Sequence, residues 1–168
     1  PAAVATLPAT RPILALGADL KSVVTLVVDG QAFVSQHLGD LAHYEAFRAF
    51  KETIRDLLQM YDVRERELVV VRDAHPQYHS TSFAERLEAR SIGAVQHHRA
   101  HIASVLAERG EWERTEVGLA LDGTGYGDEG AMWGGELYAG IVATGVARLG
   151  NHLGAQHVGG ESAALHLV

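Results

Sequence analysis

Residues 117–127 read Val117-Gly118-Leu119-Ala120-Leu121-Asp122-Gly123-Thr124-Gly125-Tyr126-Gly127. The apolar run Val117–Leu121 predicts a strand, and it feeds straight into a glycine-rich loop, Asp122–Gly135. Ligands in open α/β sheets bind outside the carboxyl ends of strands. This stretch therefore predicts both an architecture, a sheet with helices laid upon it, and a place within it where chemistry gathers.

Upstream, His97–Arg109 reads as a helix stopped by Gly110, preceded by a strand at Ile92–Gln96. Ser82 and Glu85 match a capping box, which predicts a helix running to about Arg90. Leu68–Val71 is a short buried strand. Between His43 and Tyr61, Phe47, Phe50, Ile54, Leu57, Leu58 and Tyr61 recur at helical spacing and form the core stripe of an amphipathic helix. Ile13–Leu16, Val23–Val28 and Ala32–His37, the last two joined by Asp29-Gly30, predict an opening meander. Residues 1–12 read as a linker. Downstream, Glu136–Thr144 and Val146–Leu149 form a hairpin around Gly145. The order βββ-α-β-α-β-α-ββ(β) gives an α/β protein with mixed sheets. Gln36-His37-Leu38-Gly39 is echoed by Asn151-His152-Leu153-Gly154, so a second copy of the opening unit starts at Val117. The division expected is a first lobe over 13–115 and the opening of a second, incomplete one over 116–168.

The chain has 168 residues, enough to bury a core without staples, and no cysteine. That excludes disulfides, thiolate metal sites and a thiol nucleophile of its own. A net charge of −7 argues against a general nucleic-acid binder. No apolar run reaches the roughly 20 residues that cross a bilayer, and the first residues lack the pattern of a signal peptide. A cytoplasmic location is the expectation.

Among the 10 histidines, His97-His98-Arg99-Ala100-His101 is the densest cluster. On a helix, His97 and His101 lie one turn apart on one face, the spacing at which two imidazoles reach one metal ion. His98 occupies the position where metalloproteases of the H-E-x-x-H type carry their general base, so that hydrolase class is disfavoured. The alternative, three histidines at a helix start with no ligand, stays open. Asp122 offers an oxygen that would complete a His, His, carboxylate set suited to Fe(II) or Zn. Gly123, Thr124, Gly125 and Gly127 suit contact with phosphate through backbone N–H groups. The alternative is a plain hairpin loop. Lys21, between the first two strands, offers a point charge for phosphate or is a solvated turn residue. His75, in Asp73-Ala74-His75-Pro76-Gln77-Tyr78, follows a buried strand and is otherwise a loop residue.

These motifs together resemble the carbamoyltransferase domain of the HypF hydrogenase maturation factors. The resemblance rests on Val95–Ser104, Leu119–Gly127 and Trp133-Gly134-Gly135-Glu136. It is extended in order and spacing by Gly17–Lys21, Ser35–Asp40, Asp73–Thr81 and Gly159-Gly160-Glu161. The group also includes O-carbamoyltransferases and tRNA threonylcarbamoyl transferases. The resemblance implies the duplicated actin/Hsp70-like (ribonuclease H-like) fold and transfer of a carbamoyl group from carbamoyl-adenylate to the C-terminal cysteine of HypE. ATP and carbamoyl phosphate are the ultimate substrates it implies. It further implies a divalent metal, Fe or Zn, at His97, His101 and Asp122. The nucleotide would contact Asp122, Gly123, Thr124, Gly125 and Gly127, and Lys21 and His75 would take part in catalysis. Arg72 and Ser22 depart from the family pattern, which often has Cys and Asn at these two positions. The chain corresponds to the interior of such a protein, so little turnover and pairing into a homodimer are expected of it alone. A non-catalytic metal- or nucleotide-binding piece used in assembly is the alternative.

Overall fold

The computed structural model describes residues 2–127, 130–141 and 145–151. The expected echo beyond Asn151 and the Gly159-Gly160-Glu161 motif lie outside the described residues. The chain forms two compact units, Pro1–Val95 and Gln96–Val168.

In the first unit, β1 (Ala5–Thr6), β2 (Ile13–Leu16), β3 (Val24–Val28), β4 (Gln31–Val34), β5 (Val69–Asp73) and β6 (Ser91–Val95) build one mixed sheet in the order β1-β4-β3-β2-β5-β6. The meander β2–β3–β4 is antiparallel. The strand β5 then pairs parallel to β2, with Ile13 opposite Val69, and β6 pairs parallel to β5. Helix α1 (Tyr44–Met60) buries Phe50, Ile54, Leu57 and Leu58, the stripe read from the sequence, against Leu14, Leu16, Val24, Leu26, Leu68 and Val70. Full burial of each such side chain contributes about 1.5–3 kcal/mol, so this face is the main source of the unit's cohesion.

In this unit two elements depart from expectation. Within the stretch read as a linker, Ala5 and Thr6 pair with Ala32 and Gln31 and extend the sheet edge. Gly30, at φ 75°, lets the Leu7 carbonyl come close: an added Cβ would lie 2.9 Å from it. The second is α2, which spans His79–Ala84 rather than starting at Ser82 and running on to Arg90. The expected capping box is not used, and the amide of Ser82 instead donates within the helix to the Tyr78 carbonyl. The helix is started from a distance by Asp19, whose carboxylate accepts from the amides of His79 (2.9 Å) and Ser80 (3.1 Å) and meets His79 Nδ1 at 2.7 Å. A cap supplied from 60 residues away overrides the local one.

In the second unit, α3 (His97–Arg109) ends at Gly110 in the left-handed conformation, as the sequence predicts. It packs on an antiparallel sheet of β7 (Thr115–Tyr126), β8 (Met132–Ile141) and β9 (Gly145–Asn151). The segment Asp122–Tyr126, expected to be loop, continues β7. Between Leu121 and Gly125 the register shifts: Leu121 faces Gly135 and Gly125 faces Trp133, so β7 advances four residues while β8 advances two. This bulge keeps a glycine-rich segment in the sheet. Among the described residues no helix is long and apolar enough to cross a membrane.

Candidate metal centre

Two periodicities meet in the second unit. Along β7 side chains alternate, so Gly118 and Ala120 turn to α3 while Val117, Leu119 and Leu121 are exposed. An added Cβ at Gly118 would lie 2.5 Å from Cδ1 of Ile102 on the helix, so a larger residue there would require the Ile102 side chain to shift. Asp122 continues the series 118, 120, 122 and therefore faces the helix, at the point where the bulge begins. Along α3, His97 and His101 are one turn apart, and so are His98 and Ile102.

The outcome is a tight cluster. The Nε2 atoms of His97 and His101 stand 3.1 Å apart. Asp122 Oδ2 lies 3.1 Å from His97 Nε2 and 4.0 Å from His101 Nε2. One ligand atom from each of the three residues falls within 4.8 Å of the others. Two imidazole nitrogens bound to one tetrahedral zinc at about 2.05 Å stand about 3.3 Å apart, so the spacing of the two histidines fits a shared ion. Two imidazoles and a carboxylate with open positions are a donor set for Fe(II) or Zn. Burial, and then the neighbouring His97 imidazole, hold the His101 proton affinity below the ordinary imidazole value, while Asp122 pulls the other way. His101 is thus kept in the form that offers a lone pair.

The cluster is held from behind. Gln96 is buried at the N-cap of α3. Its side-chain oxygen accepts from the Arg99 amide (3.1 Å) and from Tyr138 Oη (3.1 Å), and its amide group donates to the Tyr126 carbonyl (3.2 Å). One side chain so ties the first turn of the helix to β7 and β8. Trp133 is nearly covered, and Arg148 lies 4.0 Å above its ring while pairing with the buried Glu136. This explains much of the Trp133-Gly134-Gly135-Glu136 motif as framework.

Gly125 and Gly127 have individual reasons. His98 is fully buried and its ring lies against Gly125: a Cβ there would sit 2.5 Å from Nε2. Gly127 lies under the Trp133 ring, and its amide donates to the Ala131 carbonyl at 2.8 Å. Sequence reasoning assigned His98 no role. Its i, i+4 partnership with the apolar, half-buried Ile102 was the signal that it turns inward.

Lys21 and His75 belong to the first unit. Lys21 is exposed and adopts φ 53° in the loop between β2 and β3, beside Asp19. His75 stacks on Tyr78, ring centroids 4.1 Å apart. Its amide donates to Asp73 Oδ1, and its Nδ1 accepts from the Gln77 amide at 3.2 Å.

Residues 8–108 match the family model described as the HypF Kae1-like domain, and residues 118–168 that described as the carbamoyltransferase Kae1-like domain, second subdomain. The chain is 45% identical over 130 residues to the carbamoyltransferase HypF of Synechocystis sp., covering 77% of this chain and 17% of that protein. Identity to the carbamoyltransferase HypF of Rhizobium leguminosarum bv. viciae is 41% over 125 residues, covering 74% and 16%. The chain thus spans about a sixth of the length of these two relatives. A crystal structure of full-length HypF in the phosphate- and nucleotide-bound form superposes with a TM-score of 0.76 at 36% identity, covering 85% of this chain and 19% of that one. YeaZ from Pseudomonas aeruginosa gives a TM-score of 0.54 at 15% identity, covering 84% and 66%, a likeness of fold alone. The mixed α/β, actin/Hsp70-like architecture expected from the resemblance is the one seen.

Proposed function

Since the chain belongs to the HypF carbamoyltransferase family, we propose that it supplies the metal-holding part of an enzyme that transfers a carbamoyl group from carbamoyl-adenylate to the C-terminal cysteine of HypE in hydrogenase maturation. The observation that carries this reading is the convergence of His97, His101 and Asp122. ATP and carbamoyl phosphate are the precursors of the adenylate in the same proposal, the compartment is the cytoplasm, and the chain pairs as a homodimer.

In the transfer, the sulfur of the acceptor attacks the carbamoyl carbon. The C–S bond forms, the bond from that carbon to the adenylate phosphate oxygen breaks, AMP leaves, and the thiol proton passes to solvent or a base. The absence of cysteine from the chain accords with a nucleophile brought by the partner. His97 and His101 through Nε2, and Asp122 through Oδ2, would hold Fe(II) or Zn(II). When bound, such an ion supplies Lewis acidity toward an oxygen of the adenylate. The residues' own task is to fix three donors in one place before substrate arrives, so that little reorganisation is left for the reaction. Backbone N–H groups at Gly123, Thr124 and Gly125 are the proposed phosphate contacts. Gly127 contributes through its fit to Trp133, since its N–H is committed to Ala131. Lys21 brings a positive charge and His75 an imidazole.

The test is a HypF enzyme in which this segment replaces its counterpart, assayed for transfer of labelled carbamoyl to a peptide ending in cysteine. The expected result is transfer by the parent chimera and at least a 100-fold loss in the His97→Ala, His101→Ala double variant. Undiminished transfer by that variant contradicts the proposal.

A further inference from the structure

His98 is the one imidazole of the cluster whose place the metal reading leaves unexplained. It is completely buried, so bulk water cannot serve it, and both its ring nitrogens lack a hydrogen-bond partner among the described residues. The large majority of buried side-chain polar atoms in folded proteins are paired, and His98 is the residue here with two such atoms unpaired among the described residues, so its ring calls for a partner. Its surroundings narrow the choice. One edge of the ring rests on the backbone of Gly125, where a Cβ would fall 2.5 Å from Nε2 and 2.6 Å from Cε1. The polar atom its Nε2 approaches is Asp122 Oδ2, 3.7 Å away, just beyond hydrogen-bond reach. This oxygen is also the one that His97 and His101 face. His98 stands outside the group of ligand atoms that His97, His101 and Asp122 form.

We infer that His98 is a positioning residue for Asp122: its Nε2–H donates to the carboxylate and holds it in the orientation that ligates an ion with His97 and His101. The inference rests on the metal reading above and deepens it. A carboxylate on a short side chain has two free torsions and can turn away from its co-ligands. A donor fixed behind it, itself held by the Gly125 backbone, removes that freedom. Outer partners that orient ligands in this way typically alter metal affinity 10–100-fold when removed. Gly125 then has a second reason to be glycine, because a side chain there would displace the imidazole that aims Asp122.

Two measurements on the 168-residue chain test this. The first is the ring 15N NMR spectrum of the histidine-labelled protein titrated with Zn(II). His98 is expected to carry its proton on Nε2 in the loaded protein, while Nε2 of His97 and of His101 shifts as a metal-bound nitrogen. An Nε2 of His98 that lacks a proton, or that itself shifts as a ligand, overturns the inference, and no variant need fold for this readout. The second is Zn(II) affinity by calorimetry. His98→Ala is expected to weaken binding 10–100-fold, His98→Gln, which keeps an N–H donor, to recover part of the loss, and His97→Ala to abolish measurable binding. Affinity of His98→Ala within twofold of the parent overturns the inference and leaves the metal reading standing. A parent chain that binds no Zn(II) overturns both.

Discussion

Gly125 and Gly127 show how much a residue's reason can exceed its type. The sequence made it legible that something approaches the backbone of 123–127 closely. It did not make legible that at two of these positions the object is a protein ring, because only tertiary packing brings His98 and Trp133 there. A methyl group at Gly125 has to displace a ring that is already fully enclosed, and overpacking of that kind costs about 1–3 kcal/mol. Gly125→Ala is expected to lose that much in urea unfolding, against little change for Gly150→Ala, where nothing lies within 4 Å of the added atom. Equal effects would refute the enclosed-ring account. At His101 the folded protein takes up a proton less readily than the unfolded chain, through burial and the nearby His97. The chain without metal is therefore expected to hold its stability above the ordinary imidazole value and to lose it as pH falls below that value. The urea midpoint followed from pH 7.5 to 5 should fall less steeply for His101→Gln. An unchanged slope contradicts the assignment.

At the level of elements, legibility follows how local the causes are. Helix α1 carries its stripe and α3 its terminating Gly110 within their own sequence, and both appear as read. The pair His97 and His101 was legible for the same reason, and the alternation along β7 carried Asp122 to the same face. The start of α2 was not legible, because its first amides are served by Asp19 in the loop after β2. Nor was β1, a two-residue edge strand whose pairing depends on β4. Asp19→Ala removes a charged acceptor from two amides and an imidazole in a nearly dry setting. A loss of about 2–3 kcal/mol is expected, together with faster amide exchange at His79 and Ser80. Exchange at those two amides unchanged from the parent would show that the helix is capped by other means.

For the molecule as a whole, the outer side of the β7–β8–β9 sheet exposes Val117, Leu119, Leu121, Leu137 and Leu149. Clustered apolar area of this kind marks an interaction surface more often than free solvent boundary. Self-association of the 168-residue chain in sedimentation is expected to weaken in the Leu119→Lys, Leu121→Lys double variant with its helix content kept. Association that persists unchanged places the contact elsewhere. The central claim, that His97, His101 and Asp122 form one metal centre, is tested most directly by crystals of this chain grown with zinc and measured on both sides of the zinc absorption edge. The account predicts a single strong anomalous peak about 2.0–2.2 Å from Nε2 of His97, Nε2 of His101 and a carboxylate oxygen of Asp122. No peak there, or a peak held by other residues while these three stay apart, contradicts it.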